Sequence, residues 1–216
     1  MNNLLALEQH GFVSKKSCTT NLLETLDLLT SILAQGLFAD VIYLDFSKAF
    51  DTVPHKRLIK KLEAYGIVNK TLNWIKAFLI NREQRVTLGD SISEWSKVSS
   101  GVPQGSVLGP LLFVIYINDL PKELFSKSKL YADDCKLIGD SSNSTNLSLL
   151  QSDLDRVQLW CEEWGMNLNG NKCKVIHFGR NNPNMEYVIK NKNDFHNLQE
   201  SNYEKDLGVY ITKSLS

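Results

Sequence analysis

This chain of 216 residues predicts an α+β fold, an antiparallel sheet with helices packed on one face. Three observations lead there. Short β-branched and aromatic runs are mixed with segments of helical periodicity, without the regular strand–helix–strand rhythm of a parallel sheet. Turn residues separate several of the apolar runs at hairpin spacing. With 43% apolar residues the chain can bury a substantial core, and its length fits one large domain better than two small ones.

After GFVSKKSCTT, Leu22, Leu26, Leu29 and Leu33 recur at helical spacing, and Gly36 stands where a C-terminal cap belongs. Val41 to Asp45 is short and apolar, a strand buried on both faces that ends at an acid. Pro54 opens a second helix at its first position, where a missing N–H costs nothing, with Leu58, Ile59 and Leu62 facing inward before Gly66. A third helix covers roughly Thr71 to Asn81. Gln84 to Leu88 and Glu94 to Val98 flank Gly89-Asp90 as an edge pair of strands. SSGVPQGSVLGP is a loop punctuated by Gly101, Pro103, Gly105 and Gly109. It runs into LLFVIYINDL, a helix apolar nearly all round and therefore buried. KLYADDCKLI reads as a tight hairpin with Asp133 and Asp134 at its tip. From Asn143 onward Leu147, Leu150, Leu154, Val157, Cys161 and Trp164 mark an amphipathic helix ended by Gly165. Strands near Met166 to Leu168 and Lys174 to Phe178 surround the turn Asn169-Gly170-Asn171. An Asn-rich loop around Pro183 follows, and Asp206 to Ile211 is the last strand.

Composition excludes several classes. No run approaches the roughly 18 uncharged apolar residues that cross a bilayer, and MNNLLALEQHGF lacks a basic and then hydrophobic leader, so an intracellular protein with no membrane partner is expected, nucleus and cytoplasm both open. Cys18, Cys135, Cys161 and Cys173 form no C-x-x-C pair, which argues against zinc and a disulfide framework. Twenty-four Lys plus Arg balance twenty-four Asp plus Glu. A nucleic-acid binder usually carries a basic excess, but neutrality overall can hide a local basic face, as in HKRLIKK or from Arg82 to Arg85.

The acids carry the chemistry. Mg²⁺ takes hard oxygen ligands and is typically held by one or two carboxylates, with waters and substrate phosphates completing its octahedron. Asp45 at a strand end and Asp133-Asp134 at a hairpin tip supply such a set if their strands are neighbours in one sheet. Taken alone, an Asp-Asp pair in a hairpin is more often turn chemistry. What changes the weighting is the order of HGFVSKKSCTTNL (10–22), VIYLDFSKAFDTVPH (41–55), SSGVPQGSVLGPLLFVIYINDLP (99–121), LYADDCKLI (130–138), WGMNLNGNKCKVIHF (164–178) and EKDLGVYI (204–211).

In these motifs, which cover almost its whole length, the chain resembles the reverse transcriptase of non-LTR, LINE-type retrotransposons. The resemblance implies a right-hand polymerase core: fingers and fingers–palm portions at 1–40 and 55–98, and palm at 41–54 and 99–211. It implies an RNA-directed DNA polymerase that uses an RNA template, a DNA primer and deoxynucleoside triphosphates. Two Mg²⁺ ions are implied, with Mn²⁺ as an alternative. Such a pair about 3.5–4 Å apart stabilises the attacking and leaving oxygens of nucleotidyl transfer. Asp45, Asp133 and Asp134 are then the catalytic carboxylates, and Phe46 joins them in the metal set.

The same resemblance assigns the nucleotide to Phe46, Ser47, Lys48, Ala49, Phe50, Gln104, Gly105 and Lys172. The backbone from Phe46 to Ala49 would present N–H groups to the triphosphate. Phe50 would pack against the incoming sugar and leave no room for a 2′-hydroxyl, whereas an RNA-making enzyme would place a polar group there. Lys172 would serve as proton donor to the departing pyrophosphate. Tyr131, Ala132, Leu207 and Gly208 fall to primer and template, with Ala132 small enough to let the primer end approach. Asp51 reads as a turn or capping acid.

The family's enzymes normally carry a further fingers segment before HGF, a thumb after LGV and an endonuclease in the same polypeptide. Against that pattern the chain reads as an excised or truncated core. Two rival readings stand beside the polymerase. One is an inactive remnant that keeps the fold and binds nucleic acid or a protein. The other is a group II intron maturase or telomerase-like relative, for which SKAFDTVPH and GSVLGPLLF are a poorer match.

Overall fold

The computed structural model describes residues 4–140, 144–191 and 194–215. Six α-helices are present among them, besides a 3-10 turn at Leu120–Glu123: α1 (Cys18–Ala34), α2 (Ala49–Thr52), α3 (His55–Ala64), α4 (Asn69–Leu79), α5 (Leu108–Ile117) and α6 (Ser144–Trp164). The strands are β1 (Ala39–Leu44), β2 (Arg82–Gln84), β3 (Thr87–Leu88), β4 (Ser91–Ile92), β5 (Ser96–Val98), β6 (Lys127–Tyr131), β7 (Asp134–Asp140), β8 (Lys174–Phe178), β9 (Val188–Asn191), β10 (Asp194–Asn197), β11 (Gln199–Glu200), β12 (Tyr203–Asp206) and β13 (Val209–Thr212).

Five strands build the central sheet in the order β11-β8-β1-β7-β6. β1 lies in the middle, antiparallel to β7 from Ala39–Asp140 to Leu44–Cys135 and to β8 from Ala39–Phe178 to Tyr43–Lys174. The expected antiparallel sheet needs one correction, because β11 joins β8 in parallel and makes the sheet mixed. The expectation of helices on one face also fails. Successive strand residues face opposite sides, and both sides of β1 are apolar. Ile42 and Leu44 join the core built with α3 to α6. Ala39 and Val41 join Ile138, Ile176 and Phe178 in a second core, covered by Leu29 and Ile32 of α1. A strand apolar on both faces needs cover on both.

The stripe that α1 buries is not the one its leucines suggest. Asn21, Thr25, Leu29 and Ile32 are buried, while Leu22, Leu26 and Leu33 are only half-buried. The donors of this polar pair are engaged, the Asn21 amide NH₂ on the Leu130 carbonyl at 3.1 Å and the Thr25 hydroxyl on the Asn21 carbonyl at 2.8 Å, while the Asn21 Oδ1 is buried with no partner among the described residues. The start of α1 is fixed by a capping box between Ser17 and Thr20. Gly36, just past its end, takes φ 75° as the cap reading requires.

Other elements follow their sequence signals with shifts. Pro54 is the cap of α3 rather than its first residue. The edge pair is a long hairpin, β2 with β5 and β3 with β4. α5 is buried except at positions such as Leu111, which is 43% exposed. In α6 Leu150, Leu154, Val157 and Cys161 are buried; Asn143, the expected start, and the side chain of Leu147 lie outside the described residues. Met166 to Leu168 forms no strand. The Met166 N–H closes α6 on the Cys161 carbonyl, and only Leu168 bridges, to Phe46. Asp206 to Ile211 is likewise not one strand but the middle of the hairpin β12–β13, reversed at Leu207-Gly208 with both residues at positive φ. The loop expected after Pro183 contains the hairpin β9–β10. No helix among the described residues is long and apolar enough to cross a membrane.

Candidate active site

Asp45 is the first residue beyond β1, held there by its neighbours. Its N–H contacts the Cys173 sulfur at 3.3 Å, and its carbonyl accepts the Asn169 N–H at 2.8 Å. The next strand over is β7, so the residue at the mouth of one strand and the hairpin that opens the other become neighbours. In that hairpin only Ala132 and Asp133 form the turn. Asp134 is already the first residue of β7, paired with Tyr131. The expectation that both acids share the tip is corrected accordingly.

Asp45 and Asp133 line one cleft of about 540 Å³, with Phe46, Ser47, Lys48, Ala49 and Phe50 along one wall. Gln104 and Lys172, also assigned to the site from the sequence, line it too, as do Asp51 and Asn169. Asp134, Gly105, Tyr131, Ala132, Leu207 and Gly208 are not on that lining. Asp134 is exposed and shares strand parity with Lys136, which turns it toward Asp206 of β12.

The acids repel one another. Burial, joined by the negative charge of Asp45, pushes the Asp133 carboxyl above its ordinary range. Asp134 keeps a face open to solvent, yet the crowding at its base and repulsion by Asp133 and Asp206 push it up to about 6, against the pull of Lys136. The nearest cation to Asp45 is Lys172, whose Nζ stands 3.8 Å away on a side chain 67% exposed. A concentration of hard oxygen donors with so little compensating charge suits a divalent cation. Among the described residues no three His, Cys, Asp or Glu side chains are gathered into a ready-made metal site. Two cleft carboxylates completed by substrate phosphates are nevertheless the usual way Mg²⁺ is held, and the donor set fits in that form.

The remaining assignments separate. The Phe46 ring is buried, edge-on to Trp160 at 6.4 Å, so its backbone and not its side chain belongs to the cleft wall. The Ser47 N–H already donates to the Asn167 carbonyl at 2.8 Å, which corrects the picture of an unengaged amide run. Lys48 takes φ 48°, a left-handed turn that starts α2. Phe50 is half-buried and stacks on Phe113 with centroids 4.4 Å apart, so core packing orients the ring that meets the cleft. Gln104 donates to the Asp51 carboxylate at 2.8 Å. Asp51 therefore tethers the Pro103–Gly105 loop and does not cap the helix ahead of which it stands, since it lies within α2 and α3 is capped at Pro54 without a side-chain bond. Ala132 is buried behind the turn, and the neighbouring Cys18 thiol raises the Tyr131 hydroxyl above its ordinary range. Asn169 escaped the sequence reading because its contact with Asp45 crosses from one end of the chain to the other.

Comparison with known proteins follows the same lines. A family model described as reverse transcriptase (RNA-dependent DNA polymerase) matches residues 1–207. The chain is 29% identical over 217 aligned residues to the RNA-directed DNA polymerase from mobile element jockey of Drosophila funebris, covering 96% of the chain and 23% of that protein. The probable RNA-directed DNA polymerase from transposon BS of Drosophila melanogaster is 31% identical over 77% of the chain and 19% of its own length. The chain thus spans less than a quarter of these relatives. Among solved structures, telomerase from Candida tropicalis in complex with a TWJ fragment of telomeric RNA superposes with a TM-score of 0.61 at 13% identity, over 85% of this chain and 32% of that one. At that identity the likeness is one of fold.

Proposed function

The chain belongs to the reverse transcriptase (RNA-dependent DNA polymerase) family, and from that premise we propose that it is the copying core of a retrotransposon enzyme, joining deoxynucleotides to a primer 3′-hydroxyl along an RNA template. One observation carries the reading: Asp45 and Asp133, from distant parts of the chain, line one cleft with Phe50 and Lys172. In this reading residues 41–54 and 99–211 are the palm, with 1–40 and 55–98 as fingers and fingers–palm portions, and α1 braces the palm sheet from below.

Asp45 and Asp133, with Asp134 beside them and the Phe46 backbone, would hold divalent cations, which supply Lewis-acid stabilisation of the attacking and leaving oxygens. The chain's own groups do the rest. The Phe50 ring, kept upright by Phe113, closes the space a 2′-hydroxyl would need. Lys172 balances charge at Asp45 and stands ready to give a proton to the departing pyrophosphate. With the Ser47 N–H engaged by Asn167, the N–H groups offered to phosphate oxygens would be those from the left-handed turn at Lys48 into the start of α2. Gln104, tethered by Asp51, lines the nucleotide side, while Tyr131, Ala132 and the Leu207-Gly208 turn are assigned to primer and template.

Primer extension on an RNA template with Mg²⁺ and deoxynucleotides tests this. Extension that is lost in Asp133→Asn supports it, and extension that survives the substitution overturns it. A second reading, a fold that binds nucleic acid without copying it, draws on the position of Asp134 off the cleft lining. It predicts template–primer binding with no extension by the unsubstituted chain.

A further inference from the structure

The segment before α1 reaches the carboxylate hairpin from behind. The His10 N–H donates to the Leu130 carbonyl at 2.8 Å, and the Leu130 N–H to the Glu8 carbonyl at 3.0 Å, so the segment lies as a parallel bridge along β6. Between them Gln9 is 1% exposed. Its Oε1 accepts the Ala132 N–H at 2.9 Å and the Gly11 N–H at 2.7 Å. Two donors on one oxygen settle the orientation of the amide, because the flipped group would set its NH₂ against two N–H groups. The Nε2 atom is buried with no partner among the described residues. An unmatched amide NH₂ carries a desolvation cost, so the side chain sits here for what its carbonyl does. Gly11 permits the approach: a Cβ on it would stand 2.4 Å from the Ala132 nitrogen.

Ala132 is what the carbonyl holds. It takes φ 56°, a left-handed conformation that is unfavourable for a residue with a Cβ, and Asp133 is the very next residue. We propose that Gln9 is a positioning residue for the active site, its side-chain carbonyl locking the left-handed backbone at Ala132 and thereby aiming the Asp133 carboxylate into the cleft it shares with Asp45. The role rests on the reading of Asp133 as a metal-binding carboxylate. Gln9 itself touches neither substrate nor metal and acts through the turn.

The experiment uses the 216-residue chain, Mn²⁺ as probe with binding read by water-proton relaxation, and hydrogen exchange at the Ala132 amide. The unsubstituted chain is expected to protect that amide. Gln9→Met, of similar size but without the acceptor, is expected to lose the protection and weaken Mn²⁺ binding about tenfold or more, the usual effect of removing an outer-shell partner. Gln9→Glu, which keeps an acceptor oxygen, retains protection and binds closer to the unsubstituted chain. Undiminished Mn²⁺ binding in Gln9→Met alongside impaired binding in Asp133→Asn overturns the Gln9 role alone. Absence of Mn²⁺ binding by the unsubstituted chain, or undiminished binding in Asp133→Asn, overturns the metal reading and the Gln9 role with it. Free exchange of the Ala132 amide in the unsubstituted chain also overturns the proposal, and that measurement stands even if Gln9→Met does not fold.

Discussion

The ammonium of Lys136 on β7 and the carboxylate of Asp206 on β12 form an ion pair withdrawn from solvent, with side chains 3% and 4% exposed. It ties the strand that begins at Asp134 to the hairpin that turns at Leu207-Gly208. Removing one partner of such a pair leaves an uncompensated buried charge. Lys136→Met is therefore expected to cost about 3–5 kcal/mol, and the double variant Lys136→Met/Asp206→Leu to recover most of it. Urea unfolding of the three proteins checks this; a double variant no more stable than the single one would mean that the pair does more than satisfy its own charges.

Phe50 depends on Phe113 for its orientation, their rings stacked 4.4 Å apart. Phe50→Ala should admit ribonucleotides in primer extension and, from the lost packing of a half-buried ring, lower stability by about 1–3 kcal/mol. Unchanged discrimination against ribonucleotides would remove the gate assignment while leaving the packing role intact.

Gly101 lies where the loop carrying Gln104 crosses α2. Its φ is +86°, and a Cβ there would stand 2.7 Å from the Asp51 carbonyl oxygen. Gly101→Ala is expected to destabilise by about 1–3 kcal/mol through backbone strain alone, with the clash adding to it. Thermal unfolding gives the cost. A melting temperature equal to that of the unsubstituted chain would show that the loop can lift away from Asp51 freely.

Lys61 points its ammonium among Tyr116, Trp160 and Trp164, 3.7 Å from the Trp164 ring centre, and meets Asp119 at 2.5 Å. Burial pushes its pKa down to about 8, against the pull of Asp119. In the unfolded chain a lysine titrates near 10.4, so between about pH 8 and 10.4 the unfolded state holds the extra proton and stability gains from Lys61 as pH rises. The melting temperature of the unsubstituted chain minus that of Lys61→Met should increase between about pH 7 and pH 10. A gap that narrows over this range would contradict the buried-cation account.

Local signals were read where local physics decides. The capping glycine of α1, the proline before α3, the buried apolar α5 and the turn at Ala132-Asp133 each depend on a few neighbouring residues, and each lies near its expected place, α5 starting and ending three residues early. No strand forms over Met166 to Leu168, although the residue types suit one, because backbone groups there are engaged by the end of α6 and by Ser47. The stripe of α1 departs from its leucine periodicity for a similar reason: Asn21 turns inward to a carbonyl on β6 that periodicity cannot show.

From its residues alone this chain declared its family, its three candidate acids and most of its helices, because motif order and short-range periodicity are written along the backbone. Which acids share a cleft, that helices cover both faces of a mixed sheet, and that Gln9 holds Ala132 were decided only on folding. Those relations join groups distant in sequence, and hydrogen bonds, packing and charge repulsion act on distance in space.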